Sequence, residues 1–464
     1  MNLDFLVPLL YPAAIVACAL SFWRPQIGIY YLVLVLPLQT LRYQIQSYPL
    51  GGSIIDYILL AVLVGALLQR TEPIFDGLPM KGLLLFSFAY WYVSLWHGSL
   101  FLGLPLPLSI DDLRFSNWKS YVELGLMTFI AFAAIRTREQ VRTVLVLMCI
   151  TVLGVSLDFY QVISAQDLSH FDDSVRYSGV LGYAGANGLG AFVAMFGLLL
   201  VAIVTIRVDK KLRTLAFVTL LGCVYCLLFA FSRAAYMAFA AGLLMIASFQ
   251  KRFLLTFVFA GLLGFALLLP SAVSERISGT VVQSADSTGG ALESSAQERV
   301  IIWEDAISIF KAFPLQGAGF QTYQFMHRSL GYGDTHNFYL KVLIEQGLIG
   351  IVLFLLILAQ MFAQGIRLFR STVDPFYSAL GLGFAGCVVG AAIANVFGDR
   401  WSYLQVDSYV WILLAVVARA RLLARTEPLE AEDSDLVEGE YANLPVQNLP
   451  PAFPVLSSLL ELVF

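Results

Sequence analysis

Charge is scarce in this chain. Asp, Glu, Lys and Arg make up only 13% of its 464 residues, and hydrophobic residues reach 59%. A soluble domain carries about 25% charged residues, so this balance excludes a water-soluble fold. An integral membrane protein is expected, in contact with membrane lipids and with no nucleic-acid partner. Cysteine is also sparse. Cys18, Cys149, Cys223, Cys226 and Cys387 all fall inside apolar runs, which excludes a disulfide framework. "CVYC" at 223–226 has redox spacing but lies in mid-span and reads as packing. The nucleotide-binding pattern G-x-x-x-x-G-K-[ST], the metal pattern H-E-x-x-H and paired Cys/His sets are missing, so neither an ATP-driven pump nor a metal or cofactor site is expected. "DSD" at 433–435 imitates a metal-binding acid pair but sits in an acidic tail, and the pairs at 111–112 and 172–173 read as solvated loop acids. The N-terminus has no basic stretch before its apolar run and reads as a retained first span.

Long apolar runs are abundant instead. They fall near 4–22, 26–41, 53–69, 80–97, 119–135, 141–161, 181–206, 214–231, 234–249, 253–270, 337–362, 376–395 and 406–419. In lipid, backbone groups must be satisfied within the segment, so these runs read as helices. The second run is short and holds Pro37, so the expectation is an all-α integral membrane protein with 12–13 transmembrane helices. The basic stretches 136–142, 207–213, 250–252, 366–370 and 418–425 are separated by even numbers of spans. All five can therefore face the cytoplasm. The first four spans are less constrained.

That orientation puts the other loops outside. The longest, 271–336, opens Ser/Gly-rich and then becomes patterned. Ile301, Ile302, Asp305, Ala306 and Ile309 give an amphipathic, interfacial helix over about 298–312, which Pro314 and Gly317 end. Residues 1–425 form the expected polytopic membrane domain, and 426–464 an acidic, disordered cytoplasmic tail.

The outer side collects the polar residues capable of chemistry. Arg233 is wedged between two spans, opposite the positive-inside bias. It either snorkels to headgroups or joins Arg299 in a pocket for a diphosphate, whose oxygens suit guanidinium forks. His336, one of four histidines, opens a span with Asn337. It either caps the helix or takes a proton from a hydroxyl. Glu345 follows on the same span. Gly317 and Gly319 read as a tight turn that brings backbone close to a ligand or simply turns the chain. Arg176 is a further outer cation.

Four stretches in order, "RYSGVLGYAGANGLGAF", "FSRAAYMAFAAGLL", "RVIIWEDAISIFKAFPLQGAGFQTY" and "THNFYLKVLIEQGLIGIVLFLLIL", resemble the O-antigen ligase and O-antigen polymerase superfamily of bacterial membrane glycosyltransferases. The likeness covers roughly 176–360. "GYAGAN" departs from it, lacking the Pro that many members carry before the Asn. The resemblance implies a GT-C-like fold and an inverting, metal-independent transfer from an undecaprenyl-diphosphate-linked glycan to an acceptor hydroxyl. The acceptor is lipid A–core or a lipid-linked repeat. The implied location is the bacterial inner membrane, with the active site facing the periplasm. The resemblance maps the essential arginines onto Arg233 and Arg299 and the essential histidine onto His336. Arg176, Asn337, Gly317, Gly319 and Glu345 fall at substrate-binding positions. The competing reading is a polytopic secondary transporter or polysaccharide exporter. It is disfavoured because the distinctive charges sit at one end and no two-fold repeat is visible.

Overall fold

The computed structural model describes residues 6–69, 73–167, 175–250, 281–282, 291–292, 294–326 and 333–426. The expected span 253–270, Asp172 and Asp173, most of 271–293 and the tail from 427 lie outside the described residues. The chain divides into two units, Met1–Ala424 and Arg425–Phe464. The architecture described here belongs to the first.

It is an all-α integral membrane protein. The helices are α1 (Val7–Ser21), α2 (Gln26–Val35), α3 (Gln39–Ile45), α4 (Ile54–Leu68), α5 (Lys81–Phe101), α6 (Leu113–Ala134) and α7 (Arg138–Ile163). After a 3-10 turn at Gly179–Ala184 come α8 (Gly185–Thr205), α9 (Lys210–Phe229) and α10 (Arg233–Phe249). Then follow α11 (Ser294–Ala312), α12 (Phe338–Ser371), α13 (Pro375–Ala394) and α14 (Leu404–Thr426). The only strands among the described residues are Val281–Val282 and Ala291–Leu292, paired antiparallel. Among the described residues, six helical segments are long and apolar enough to cross a membrane: Gly51–Leu68, Arg138–Ile163, Gly179–Thr205, Lys210–Phe229, Phe338–Ser371 and Pro375–Phe397. The short second run is broken where Pro37 stands, α2 ending at Val35 and α3 restarting at Gln39.

The apolar runs are punctuated by polar caps. Asp112, Asp209, Ser232, Asn337 and Asp374 each accept an N–H from the first turn of the helix that follows. Thr137 and Gln140 form a reciprocal capping box on α7. Each such cap stabilises its helix by about 1 kcal/mol. The core centres on α8, α13 and α14, whose residues are largely buried. Small residues let these helices approach closely: a Cβ at Gly383 would lie 2.7 Å from Leu199 Cδ1, and one at Gly365 2.7 Å from the Gly381 carbonyl.

The polar links sort into two ends of the first unit. At one end Arg138 pairs with Asp374, and Arg142 Nη2 lies 2.7 Å from Asp209 Oδ1. Arg136 donates to the Gln69 carbonyl at 3.4 Å, and Gln250 Nε2 to Thr205 Oγ1 at 2.9 Å. The 136–142 stretch thus meets the 207–213 stretch and the start of α13 at one end.

Candidate functional site

The opposite end carries the residues singled out for chemistry, in two corners. The first is built on the start of α8. Arg176 Nη2 donates to Asn187 Oδ1 at 2.7 Å. One turn further along α8, Gly190 makes room for the α9–α10 turn: a Cβ there would lie 2.9 Å from Ala235 Cβ and 3.1 Å from Ser232 Cβ. That turn needs a left-handed residue, Phe231 at φ +50°. Ser232 caps α10 through the Ala235 N–H, so the half-buried Arg233 becomes the first residue of the helix. Arg176 and Arg233 therefore flank one helix terminus.

The second corner joins α11 to the mouth of α12. Ile302, Ala306 and Ile309 of α11 are buried against Ala318, Tyr323 and Ile344. Trp303 Nε1 donates to the Thr335 carbonyl at 2.9 Å, immediately before His336. Arg299 lies four residues before Trp303, hence on the same helix face, and is half-buried. The loop itself is tightly held. Buried Thr335 donates its hydroxyl to the Asn337 carbonyl at 2.8 Å and accepts the Asn337 N–H at 3.3 Å. Asn337 Oδ1 accepts the Leu340 N–H at 3.1 Å, capping α12. His336 between them is exposed and left-handed, at φ +51°. For a non-glycine residue that conformation costs about 1 kcal/mol or more, and it is held only where surroundings over-determine it. Its Nδ1 lies 3.4 Å from Asp334 Oδ2, and its N–H donates to Asp334 Oδ1 at 3.2 Å.

The two corners connect through α14 and the loop before it. The Tyr183 and Tyr403 rings meet edge to face, 6.2 Å between centroids, and a Cβ at Gly188 would lie 3.5 Å from Val406 Cγ2. Gln39 Oε1 accepts from both the Tyr183 N–H at 2.8 Å and Gln405 Nε2 at 2.9 Å. Below His336, Lys341 Nζ donates to buried Asp399 Oδ2 at 2.8 Å, and Ser402 Oγ donates to the same oxygen at 2.8 Å. Burial alone would raise the Asp399 carboxyl, but Lys341 and the Ser402 donors outweigh it and hold Asp399 below the ordinary carboxylate value. Burial lowers Arg400, against a partial offset from Tyr403, Asp399 and Asp334.

Gly317, Gly319 and Glu345 come together as a scaffold. Gly317 and Gly319 are left-handed, at φ +70° and +115°. Their loop lies directly on backbone: a Cβ at Gly317 would sit 2.4 Å from Gln346 N, and one at Gly319 2.0 Å from Gly98 Cα. The Gly319 N–H donates to the Glu345 carbonyl at 2.7 Å. The Glu345 carboxylate accepts the Gln321 N–H at 3.0 Å and the Tyr323 N–H at 3.2 Å. It also borders a small cavity lined by Tyr121, Gln321, Lys341 and Ser402.

The sequence reading passed over several of these participants. Asp334 stands two residues before His336. Asp399 and Arg400 stand in a short loop between apolar segments. Lys341 lies inside a span, where an ionisable residue is itself a signal. His97, which reaches the Gly317 carbonyl at 3.2 Å, carried no motif to mark it. Among the described residues, no three His, Cys, Asp or Glu side chains gather as a metal-holding group.

Residues 215–355 match the family model described as O-antigen ligase. The match covers part of the chain and supports its resemblance to the O-antigen ligase and polymerase superfamily. The matched stretch runs from α9 into α12 and contains Arg233, Arg299, Gly317, Gly319, His336, Asn337 and Glu345, whereas Arg176 precedes it. No curated protein matches the chain. The matched family is one of membrane glycosyltransferases of the ligase or polymerase type, which act in general on a lipid-linked glycan and an acceptor.

Proposed function

We propose that the chain is a metal-independent, inverting glycosyltransferase. It moves a glycan from undecaprenyl diphosphate to an acceptor hydroxyl at the outer face of the inner membrane. The observation that carries this reading is the docking of α11 by Trp303 onto the loop of His336. This brings the cation of Arg299 and an exposed imidazole to the end where Arg176 and Arg233 flank α8. The family match supports the reaction class.

The acceptor oxygen attacks the anomeric carbon from the side opposite the diphosphate. Its proton passes to His336, and the breaking C–O bond leaves its electron pair on the diphosphate. Arg233 and Arg299 stabilise that developing charge, with Arg176 binding further along the donor. Pre-oriented donors in a site of low dielectric are worth about 3 kcal/mol each. Because the sugar–diphosphate bond supplies the driving force, no nucleotide is consumed. Gly317, Gly319, Glu345 and Asn337 form the wall of the substrate site and hold its loops in register.

The test uses purified protein in nanodiscs, given lipid-linked glycan and a candidate acceptor in EDTA, with release of undecaprenyl diphosphate as the readout. Turnover in EDTA is expected, and its abolition would point to a metal-dependent reaction. His336→Ala and Arg233→Ala should abolish release while leaving expression intact. Arg233→Lys should fail too, because a point charge does not replace a planar fork. Full turnover by any of these variants removes that residue from the mechanism. Product from lipid-linked repeats alone identifies a polymerase. Product only after lipid A–core is added identifies a ligase.

A further inference from the structure

We infer that Asp334 is the positioning residue of His336: its carboxylate fixes the imidazole's orientation and tautomer so that Nε2 faces the acceptor hydroxyl. The inference rests on the reading of His336 as the base. Both carboxylate oxygens of Asp334 are directed at the same residue. Oδ1 takes the His336 backbone N–H at 3.2 Å, and Oδ2 stands 3.4 Å from ring Nδ1. A single side chain thus hydrogen-bonds the backbone and stands beside the ring.

The local backbone is arranged for that placement. Thr335 and Asn337 lock the loop on either side through reciprocal bonds, and Trp303 pins the Thr335 carbonyl from α11. The cost of the left-handed His336 is thereby met by neighbours, leaving its exposed ring with one built-in partner, Asp334. Lys341, Arg400 and Tyr403 feel the Asp334 charge from α12 and from the loop between α13 and α14.

A carboxylate beside Nδ1 favours the tautomer that carries its proton there, because an ionised carboxylate only accepts. Nε2 then keeps its lone pair and takes the proton of the attacking hydroxyl as the new C–O bond forms. The resulting imidazolium stays beside the Asp334 anion until the proton passes to water. The 3.4 Å separation belongs to the substrate-free enzyme, in which such contacts are often long and tighten in the reacting complex.

Asp334→Asn separates this role from loop folding. An amide oxygen still accepts the backbone N–H, whereas the amide nitrogen in place of Oδ2 donates and favours the wrong tautomer. The expected result is a fall in kcat of about 10- to 100-fold, with KM within about twofold. Asp334→Glu, which keeps a carboxylate within reach of the ring, should recover part of the loss. An independent readout is the 15N spectrum of histidine-labelled protein in nanodiscs, with the His336→Gln spectrum subtracted. The parent should show a protonated Nδ1, and Asp334→Asn a shift of the proton to Nε2. Unchanged kcat and unchanged 15N signals in Asp334→Asn overturn the inference. Full turnover by His336→Ala instead overturns the reading of His336 as base, so the two failures are told apart.

Discussion

Half-buried Lys341 and buried Asp399 form an ion pair a little over one turn below the candidate base, with Asp399 only 5% exposed. Breaking such a pair on one side strands the other charge, at a cost of about 3–5 kcal/mol. Asp399 is held below its ordinary value of 3.8. A depressed carboxylate contributes stability that is complete above the ordinary value and lost as pH falls through the depressed one. Asp399→Asn should therefore lower the thermal midpoint of detergent-solubilised protein at pH 7. The gap to the parent should narrow only below about pH 4, where the parent carboxylate protonates too. A constant gap across that window would mean that the charge of Asp399 is not what stabilises the fold. The pair was legible in part: a lysine inside an apolar run demands a partner. Which acid serves it is a matter of distance in space, 58 residues along the chain.

Among the elements, α11 is the one that converts sequence into a site. Its apolar face at Ile302, Ala306 and Ile309 was readable from helical spacing, and the helix begins at Ser294, ahead of the 298 that the spacing suggested. What it packs against was not readable. The surface it meets combines the 318–326 segment with α12, and the 314–317 stretch leading into that segment is seated in a break of α12 at Gly347, φ +65°. A Cβ at Gly347 would stand 2.2 Å from the Leu315 carbonyl, so only glycine admits the loop there. Trp303→Phe keeps the packing and deletes the donor to Thr335. Global stability should fall by about 1 kcal/mol, the usual worth of one hydrogen bond. In the release assay kcat should fall more than KM rises, because the His336 loop loses its anchor. An unchanged kcat would show that packing alone positions that loop.

At the scale of the whole first unit, the division into a basic end and a site end carries the orientation. Cys149, Cys223, Cys226 and Cys387 are buried and Cys18 is half-buried, so the native background to thiol labelling is low. Tyr183 is 74% exposed at the site end, and Lys210 is exposed beside the basic Arg142–Asp209 pair. With a membrane-impermeant maleimide on spheroplasts, Tyr183→Cys should label in intact cells and Lys210→Cys only after lysis. The reverse pattern would turn the protein over and place the proposed chemistry in the cytoplasm.

The sequence by itself determined the helical membrane class. Scarce charge and long apolar runs admit no other backbone solution in lipid, and these properties are local and additive along the chain. The basic stretches at 136–142 and 207–213 announced that their helix ends belong together, because charge bias acts span by span. Arg233 and His336 stood out for a similar reason: an ionisable group at the edge of an apolar run is conspicuous without a partner in view. Only the tertiary structure decided that Arg176 bonds Asn187, that Trp303 carries the helix of Arg299 to Thr335, and that Lys341 finds Asp399. It also showed that Glu345 holds backbone N–H groups of the Gln321–Tyr323 turn. Each of these depends on where separate helices meet, and close packing between helices is set by the fit of whole surfaces, which no local stretch encodes.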